Sequence, residues 1–535
     1  ATSTIKNQEL DGTFLLSATK DLTSDLNLRF TVGHNVNQRA YDRYTAVGQN
    51  LVVRGITNTN NSLTQTTYEY HRLQRYYAFF GDLTLSYKDY LFLNALARND
   101  VSSTLPVESR SYFYPSVNAS FIFTDALNIK SEILNYGKFR VGLAQVGNMA
   151  DPYKLITTYQ GQQAFSGFNR LTMANTLNNL DLKNELTKEL EIGMDARFLN
   201  NKVTADITWY KKNSYNQIVS ADVATSSGFS RQVINSGEIE NTGWEVGLGL
   251  NPVSLSNGFQ WNVFTSYTRP RTTIIDAGEG GDVIISGDGS TAGAYVAIIH
   301  RTGEFYGQIY GDRYARDDEG NLLIDRALGT PIVEDGQHII GNPNPDFILG
   351  INNKFSFKGI TVNALFDWKQ GGDMLSYTAA SLKLRGQLAY SVDREAVRVV
   401  PGVYGDLSTQ EPILDAGGNK IKNTTGISSF DWYFSNGFAA YGAAEVNVYD
   451  ATVVRLREVS IGYDLPKSLL SKTPFGSATL GVSGRNLWYN APNFPVDLNF
   501  DPEVLGATAG SNLNGFDLGA TPTTRRMGVN LSVTF

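Results

Sequence analysis

The sequence predicts an all-β fold, a transmembrane antiparallel β-barrel, and three observations carry this prediction. Apolar and polar residues alternate along many segments of strand length. Tight turns and loops of roughly 20 to 70 residues alternate between these segments, and loops that long are uncommon in compact soluble domains. The chain also ends on an alternating strand whose last residue is Phe535.

The alternation is clearest between Leu190 and Phe198, where every second residue is apolar. An Asn200-Asn201 turn separates this segment from a similar one over 203–210. In all, we count about fifteen strands with one apolar and one polar face. The further predicted strands are Trp244 to Asn251, Phe259 to Val263, Leu26 to Val32, Leu83 to Tyr87, Leu91 to Ala97, Val117 to Phe123, Phe139 to Val146, Phe347 to Phe357, Ile360 to Trp368, Val453 to Tyr463 and Ala478 to Trp488. The segment from Met374 to Val399 is the nearest candidate for a helix, and we expect it to lie within a loop.

Composition narrows the class of protein. Tyr (28) and Phe (28) far outnumber Met (5), which favours strands over helices. A net charge of −7 argues against nucleic acid as a partner, because phosphate binding needs a basic face. The sequence has no cysteine, so thiolate metal sites and disulfides are excluded. No apolar run approaches the roughly 20 residues that a spanning helix needs.

The character of the two strand faces favours a membrane barrel over a soluble sandwich. The polar faces are rich in Gly, Ser, Thr and Asn, as expected of a wide hydrated lumen. Many apolar faces end in an aromatic residue, namely Tyr87, Tyr90, Tyr267, Trp368, Tyr463 and Trp488. Aromatic residues at strand ends form the interfacial girdles of membrane barrels.

The final strand is predicted to be a membrane-insertion strand. Its apolar residues are Met527, Val529, Leu531, Val533 and Phe535, and they alternate with Gly528, Asn530, Ser532 and Thr534. Outer-membrane proteins resemble one another in ending on such a strand, which the insertion machinery reads. The alternative is an ordinary last strand.

Several motifs that could carry chemistry are better explained structurally. The stretch GDGSTA (287–292) fits a dinucleotide fingerprint, but a β-prone segment follows it where the fingerprint needs a helix. The stretch DRYARDDEGNLLIDR (312–326) suggests a calcium loop, yet its end positions cannot chelate, so we predict a hairpin turn. The Ser of GVSGR (481–485) is expected mid-strand. His34, His71, His300 and His338 lack metal-ligand spacing, and we expect loop or rim positions for them.

Two sets of residues remain as candidates for function. Strand acids such as Glu191, Asp195, Asp206 and Glu245 lie on the polar face, where lining the lumen is the plainest role. Aromatic loop residues could stack on sugar rings or peptide side chains. These candidate substrate-binding residues are Trp432, Tyr433, Phe434, Tyr306 and Tyr310, although packing of the loop itself is the alternative. No cofactor or metal is expected.

Six stretches, in order from about Tyr76 to the C-terminus, resemble the SusC/RagA family of TonB-dependent transporters from the outer membranes of Bacteroidota. They include YYAFFGDLTLSYKDYLFLNALARND with YFYPSVNASF (112–121), KFRVGLAQVGN (138–148), LKNELTKELEIGMDARFLNNKVTADITWYKKNSYNQI (182–218), NSGEIENTGWEVGL (235–248), GNPNPDFILGINNKFSFKGITVNALFDWKQGGD (341–373) and VVRLREVSIGYDLPKSLL (453–470) with GRNLW (484–488). The stretch at 182–218 is the most specific.

The resemblance implies a barrel of about 22 strands in a protein about twice as long. Residues 1–535 would then be the later two-thirds of the barrel, and the signal peptide, TonB box and plug domain are not expected within them. The family further implies energy from TonB, a SusD-like surface lipoprotein over the loops, a glycan or oligopeptide as cargo, and outer-membrane lipid around the wall.

The function is therefore expected to be TonB-dependent import of a nutrient. The alternative is a non-transporting scaffold within a larger outer-membrane complex. A barrel enzyme would need a nucleophile and base on the rim, and no triad order is recognisable.

Overall fold

The alternating segments form fifteen strands that pair in chain order into one antiparallel sheet. The strands are β1 (Thr2–Thr23), β2 (Leu26–Leu51), β3 (Ser62–Tyr87), β4 (Leu91–Ser102), β5 (Ser111–Ile122), β6 (Leu134–Asn148), β7 (Glu185–Phe198), β8 (Val203–Asp222), β9 (Arg231–Ser254), β10 (Gln260–Asp276), β11 (Phe347–Phe357), β12 (Ile360–Gln370), β13 (Val453–Asp464), β14 (Ser477–Asn490) and β15 (Arg526–Thr534). A sixteenth short strand, Thr176–Leu177, pairs parallel to β9. The predicted fold class and strand number are confirmed.

The structure is a computed structural model, and it describes residues 1–165, 167–278, 281–286, 296–435, 442–494, 498, 501–503, 514–519 and 521–535. Among these residues, β1 pairs only with β2 and β15 only with β14, so both strands are edges of an open sheet. No helix of the described part is both long enough and apolar enough to cross a membrane.

Connections at the two ends of the sheet differ in length, as predicted. At one end the links are short, as at 24–25 between β1 and β2 and at 358–359 between β11 and β12. At the other end they reach 277–346, 371–452 and 491–525. Since β-barrels of the outer membrane have short periplasmic turns, the long loops mark the external side.

Aromatic side chains on the apolar face gather near both ends of the strands. Near the long loops, Phe347 contacts Tyr267 and Trp368, with ring centroids 5.5 Å and 5.1 Å apart. Near the short turns, Tyr87 meets Tyr90 at 5.6 Å. The predicted girdle residues therefore lie at two levels, which bound the apolar band of the outer face.

The connections between the strands carry short strands, helices and 3₁₀ turns of their own. Helices Phe123–Ala126 and Lys467–Leu470 lie at the end of the sheet with the short turns, and the other elements lie at the end with the long loops. The strands are Tyr159–Phe165, Phe168–Met173, Val283–Ser286, Val296–His300, Gln308–Gly311, Leu323–Asp325, His338–Gly341, Asp373–Ser376, Val397–Val399, Val403–Gly405, Gly426–Ser428, Val448–Asp450 and Phe516–Asp517. The α-helices are Phe123–Ala126, Tyr377–Leu384, Ser429–Ser435 and Lys467–Leu470, and the 3₁₀ turns are Thr59–Asn61, Thr225–Ser227, Ala389–Ser391 and Ala444–Asn447. Helix Tyr377–Leu384 lies inside the segment that sequence analysis selected.

Three of these loops, 277–346, 371–452 and 491–525, pack together, and we call them the loop layer. They share one buried apolar cluster, with Ile298 and Ile309 from the first loop, Leu375 and Ala444 from the second, and Phe516 from the third. Burial of these side chains holds together segments that lie far apart in sequence. Strand Asp373–Ser376 pairs with both Val448–Asp450 and Phe516–Asp517, which adds main-chain hydrogen bonds to the same junction.

A lysine is buried within the loop layer. Lys383 lies in helix Tyr377–Leu384, and its Nζ donates to the carbonyl oxygen of Val446 at 2.8 Å and to Oδ1 of Asn447 at 2.9 Å. Burial lowers the pKa of Lys383 to about 8. The ammonium is therefore retained at neutral pH at a cost in stability.

The expectation of a loop or rim position was wrong for His34, whereas His71 lies in the part of β3 that stands above the rim of β4. His34 lies in β2 and stacks on Phe79 at 4.3 Å, and His71 lies in β3, where Nδ1 is 2.8 Å from Asp42. Both strands extend further than their apolar alternation predicts, so positions that looked like loop are sheet. His300 and His338 do lie in the loop layer.

A glycine on the inner, polar face makes room for an arginine. Gly193 of β7 pairs with Arg140 of β6, and a Cβ built at Gly193 would lie 2.2 Å from Nε of Arg140. Any side chain at this position would displace the guanidinium from its carboxylate partners. At Gly247 of β9 a Cβ would instead meet Phe264 at an ordinary 3.5 Å.

Gly193→Ala should therefore destabilise the folded barrel by about 1–3 kcal/mol, the usual cost of overpacking. Unfolding in urea, followed by the mobility of folded and unfolded forms in gels, measures the change. Gly247→Ala is the matched control and should behave like the unsubstituted protein. Equal effects of the two substitutions would contradict the steric argument.

The loop layer should become more stable as pH rises from about 8 towards 10.5. Over this interval the folded chain has released the proton of Lys383 while the unfolded chain, with its ordinary pKa of 10.5, still holds it. Amide hydrogen exchange of residues 444–447, corrected for the intrinsic pH dependence, measures this trend. Lys383→Met should abolish the slope, and an unchanged slope in this variant would refute the assignment.

Candidate functional site

The inner face of the sheet carries a row of paired charges midway along β6, β7 and β8. Arg140 donates to Asp206 at 2.7 Å and lies 3.4 Å from Asp195 and 3.7 Å from Glu191. Lys138 contacts Asp195 at 2.8 Å. These acids were predicted to line the lumen, and the structure places them together on the polar face. Their cations, Lys138 and Arg140, were not singled out from sequence, because pairing depends on strand register.

A second charged group lies on the same face where β4 and β5 meet. Nε of Arg98 donates to Asp100 at 2.7 Å and to the hydroxyl of Tyr114 at 2.9 Å. The Tyr114 hydroxyl donates to Asp100 at 2.5 Å. Each charged side chain of these two groups lies near one of opposite charge, so the wall is polar without exposing isolated charges.

Beside the first of these groups, from β6 to β10, the wall forms a concavity of about 630 Å³. It is lined by Lys138, Arg140, Asp195, Asp206 and Phe264, among others, and by the predicted lumen residue Glu245. Phe264 is 53% exposed although it lies on the polar face. The lumen wall thus offers both charged groups and an aromatic ring to whatever occupies it.

The third loop of the loop layer is tied to the wall by arginines of β13. Arg455, which is 4% exposed, donates to Asp501 at 2.5 Å. Arg457 bridges Asp367 of β12 at 2.8 Å and Glu503 at 2.5 Å. Because Asp501 and Glu503 belong to the loop and Asp367 to the wall, these pairs join the two. Replacing one partner of such a buried, hydrogen-bonded ion pair is strongly destabilising, because the other charge is then left buried without a partner.

The predicted substrate-binding aromatics fall into two groups. Tyr306 and Tyr310 belong to the part of the loop layer around strand Gln308–Gly311. The ring of Tyr306 lies 4.3 Å from that of His300, and the guanidinium of Arg301 lies 5.9 Å from the ring of Tyr310. Both tyrosines are half-buried.

The second group lies on helix Ser429–Ser435. Trp432 packs on the buried cluster of Ile324, Val400 and Ile427. Tyr433 is 7% exposed and lies 4.9 Å from the guanidinium of Arg398. Phe434 is 43% exposed and stacks on Phe430 at 6.0 Å. Of the three predicted residues, Phe434 is thus the most accessible, and sequence analysis did not select Phe430.

The acidic turn at 317–321 is a hairpin, as predicted. Arg316 pairs with Leu322, and the amide of Gly320 donates to the carbonyl of Asp317. The ammonium of Lys420 occupies the position that a cation would take, 3.0 Å from Asp317 and in contact with Asp318. Burial opposes ionisation of Asp317, but hydrogen bonds from Asn321 and Lys420 hold its pKa below the usual range. In the described ranges, no cluster of three or more acidic or histidine side chains could hold a metal.

Two other motifs can be placed. The stretch GDGSTA (287–292) lies outside the described residues. Strand Val296–His300 follows it, in agreement with the β-prone character noted from sequence. Ser483 of GVSGR lies within β14, as expected.

Comparison with known proteins identifies the family. The model of the TonB dependent receptor-like β-barrel matches residues 2–487. TonB-dependent receptor P3 of Formosa agariphila is 26% identical over 486 residues, which cover 85% of this chain and 45% of the relative. TonB-dependent receptor SusC of Bacteroides thetaiotaomicron is 24% identical over 298 residues, 52% of this chain and 30% of SusC. The chain spans about half the length, or less, of the curated relatives it matches.

A solved structure of the RagAB peptide transporter is similar in fold, with a TM-score of 0.75 at 17% identity. The similarity covers 100% of this chain and 56% of that one. The resemblance to SusC/RagA read from the sequence is confirmed, and with it the outer-membrane location. This chain belongs to the family of TonB-dependent receptor-like β-barrels, a family of receptors and transporters rather than of enzymes.

Proposed function

We propose that this chain forms part of the wall and the external loop layer of an importer that moves oligosaccharides or oligopeptides across the outer membrane. The observation that carries the proposal is the two-faced sheet, apolar outside and ion-paired inside, whose external loops fold together and are tied to the inner wall at Arg455 and Arg457. Such a wall suits a wide passage for polar cargo.

The two open edges support a larger barrel. Lipid provides no hydrogen-bond partners, so the free main-chain groups of β1 and β15 need further strands to close the cylinder. We infer that residues 1–535 are the later part of a barrel of about 22 strands. A lumen this wide needs a plug domain to maintain the permeability barrier. TonB would supply the energy that moves this plug.

A SusD-like lipoprotein is the proposed partner on the external side. Phe430 and Phe434 are 54% and 43% exposed and form a stacked apolar pair on the loop layer. Aromatic residues, phenylalanine among them, are enriched at the cores of protein interfaces. We propose that this pair contacts the lipoprotein, while Phe434 also remains a candidate for contact with cargo.

Uptake by living cells tests the transport proposal. Cells that produce the full-length protein should accumulate a labelled oligosaccharide or oligopeptide, and deletion of TonB or collapse of the proton gradient should reduce uptake to that of a strain lacking the gene. A different result would overturn the import proposal: deletion of the gene leaves uptake of both cargo classes unchanged but disturbs assembly of an outer-membrane complex. That result would favour the scaffold function.

The partner proposal predicts that Phe430→Ser with Phe434→Ser lowers co-purification of the lipoprotein encoded beside this gene by about tenfold. Leu407→Ser is the control, because Leu407 is a 63% exposed apolar side chain on another turn of the loop layer. Capture that is unchanged in the double variant, or equally weakened in the control, would remove this surface from the interface.

A further inference from the structure

The hairpin of β2 and β3, which β1 accompanies as far as Ala46, extends far beyond β4 and β5. Each strand has 26 residues, whereas β4 and β5 have 12. β3 pairs with β4 only from Tyr76 onward, so residues 62–75 stand above the rim of β4. Because a strand needs about 9–11 residues to cross the membrane, the upper half of this hairpin projects outside on the side of the long loops.

One face of the projecting part continues the lumen wall. Side chains of a strand alternate between faces, so Tyr41 and Arg43 share a face with Asn35, Asn37 and Arg39 of the same strand. Asn35 and Asn37 are buried among Glu9 and Asp11 of β1, within the polar inner face. Cargo that enters the lumen therefore meets the upper face first.

Three tyrosines and two arginines cover this face, and we call it the Arg–Tyr surface: Tyr41, Arg43, Tyr68, Tyr70 and Arg72. Tyr41 pairs with Arg72, and Arg43 pairs with Tyr70, across the two strands. Each guanidinium lies over the opposite ring, Arg72 at 5.6 Å from Tyr41 and Arg43 at 5.7 Å from Tyr70. The rings of Tyr41 and Tyr70 meet edge to face at 5.9 Å.

These groups remain open to solvent. Tyr68 is 60% exposed, Tyr70 is 44% exposed, and the side chain of Arg72 is 45% exposed. Because the rings are held by their arginine neighbours and are not buried by other elements, they keep accessible surface for stacking. Cation–π contacts of this kind also fix the guanidinium groups before a ligand arrives.

The charge of the Arg–Tyr surface is not balanced. Arg39, lower on the same face, is paired with Glu9 at 2.9 Å. Arg72 reaches a carboxylate only at 4.0 Å, on Asp151, and in the described part of the chain Arg43 has no carboxylate within that distance. The acids of this hairpin, Asp42 and Glu69, lie on the opposite face and contact His71.

We propose that the Arg–Tyr surface binds an oligosaccharide that carries carboxylate or sulfate groups. Guanidinium groups form paired hydrogen bonds with such oxyanions, and exposed tyrosine rings offer flat apolar faces to sugar rings. A peptide of mixed charge would need free carboxylates beside the guanidinium groups, but Asp42 and Glu69 face away and Glu9 is already paired with Arg39. This inference rests on the proposed import function and specifies its cargo.

Equilibrium binding to the purified full-length protein in detergent tests the proposal without requiring transport. The probes are an oligogalacturonate, a sulfated galactan oligosaccharide of equal length, a neutral maltooligosaccharide and a polyglutamate peptide. At least one anionic sugar should bind, more tightly than the neutral sugar and the peptide, and its affinity should fall with added salt. Which of the two binds distinguishes carboxylate from sulfate.

Arg43→Gln with Arg72→Gln should weaken binding of the anionic sugar by at least about tenfold. Tyr70→Ala should weaken it, while Tyr70→Phe should retain it, because stacking needs the ring and not the hydroxyl. Arg75→Gln is the matched control, since Arg75 lies on β3 but on the opposite face, where it donates to Gln38. All variants should keep the gel mobility of the folded barrel.

Three results would overturn the proposal: unchanged affinity in the double arginine variant, equal binding of the neutral sugar, or tighter binding of polyglutamate, which would assign the surface to acidic peptides. Binding that follows the expected pattern in a protein that moves no cargo would leave the surface assigned and refute import alone.

Discussion

Pairing of main-chain hydrogen bonds between neighbouring strands is the constraint on which the rest of this structure depends. A segment in lipid cannot bond to water, so each strand within the membrane must be bonded on both sides by other strands. This requirement fixes register, and register fixes which side chains meet across the inner face. Arg140 finds its carboxylates because Gly193 lies directly opposite. A slip of one residue would exchange the two faces of a strand.

Strands are predicted most accurately from sequence where they cross the membrane, because contact with lipid requires apolar residues on their outer face. β11 was predicted with the bounds that the structure shows, and β12 within two residues, because apolar residues occupy nearly every second position on one face of each strand. β1 was missed because Leu15 and Leu16 are adjacent and interrupt the pattern. The upper halves of β2 and β3 were missed because both of their faces contact water there, and selection for apolar residues at every second position is absent.

The loops were harder to predict for a different reason. Trp432 and Tyr433 were selected as aromatic residues that a ligand could reach, but whether a ring is accessible depends on partners distant in sequence. Trp432 packs on Ile324, more than a hundred positions earlier. Lys383 would likewise be expected at the surface from its sequence context, but in the structure its ammonium group is bound by residues 446–447. Local composition does not encode such contacts, so the loop layer could be expected as long loops but not as a folded unit.

The unequal heights of the wall have a consequence for how a molecule reaches the passage. The hairpin of β2 and β3 stands on one side of the sheet, and the loop layer emerges from β10 to β15 on the other. The hairpin and the loop layer therefore rise from different parts of the sheet and present different chemistry. The hairpin carries paired arginine and tyrosine side chains on its inner face, whereas the loop layer is held together by a buried apolar cluster. Under the import function proposed above, a long cargo chain would contact the hairpin before its leading end reached the loops, and this contact would orient the chain before it entered the lumen.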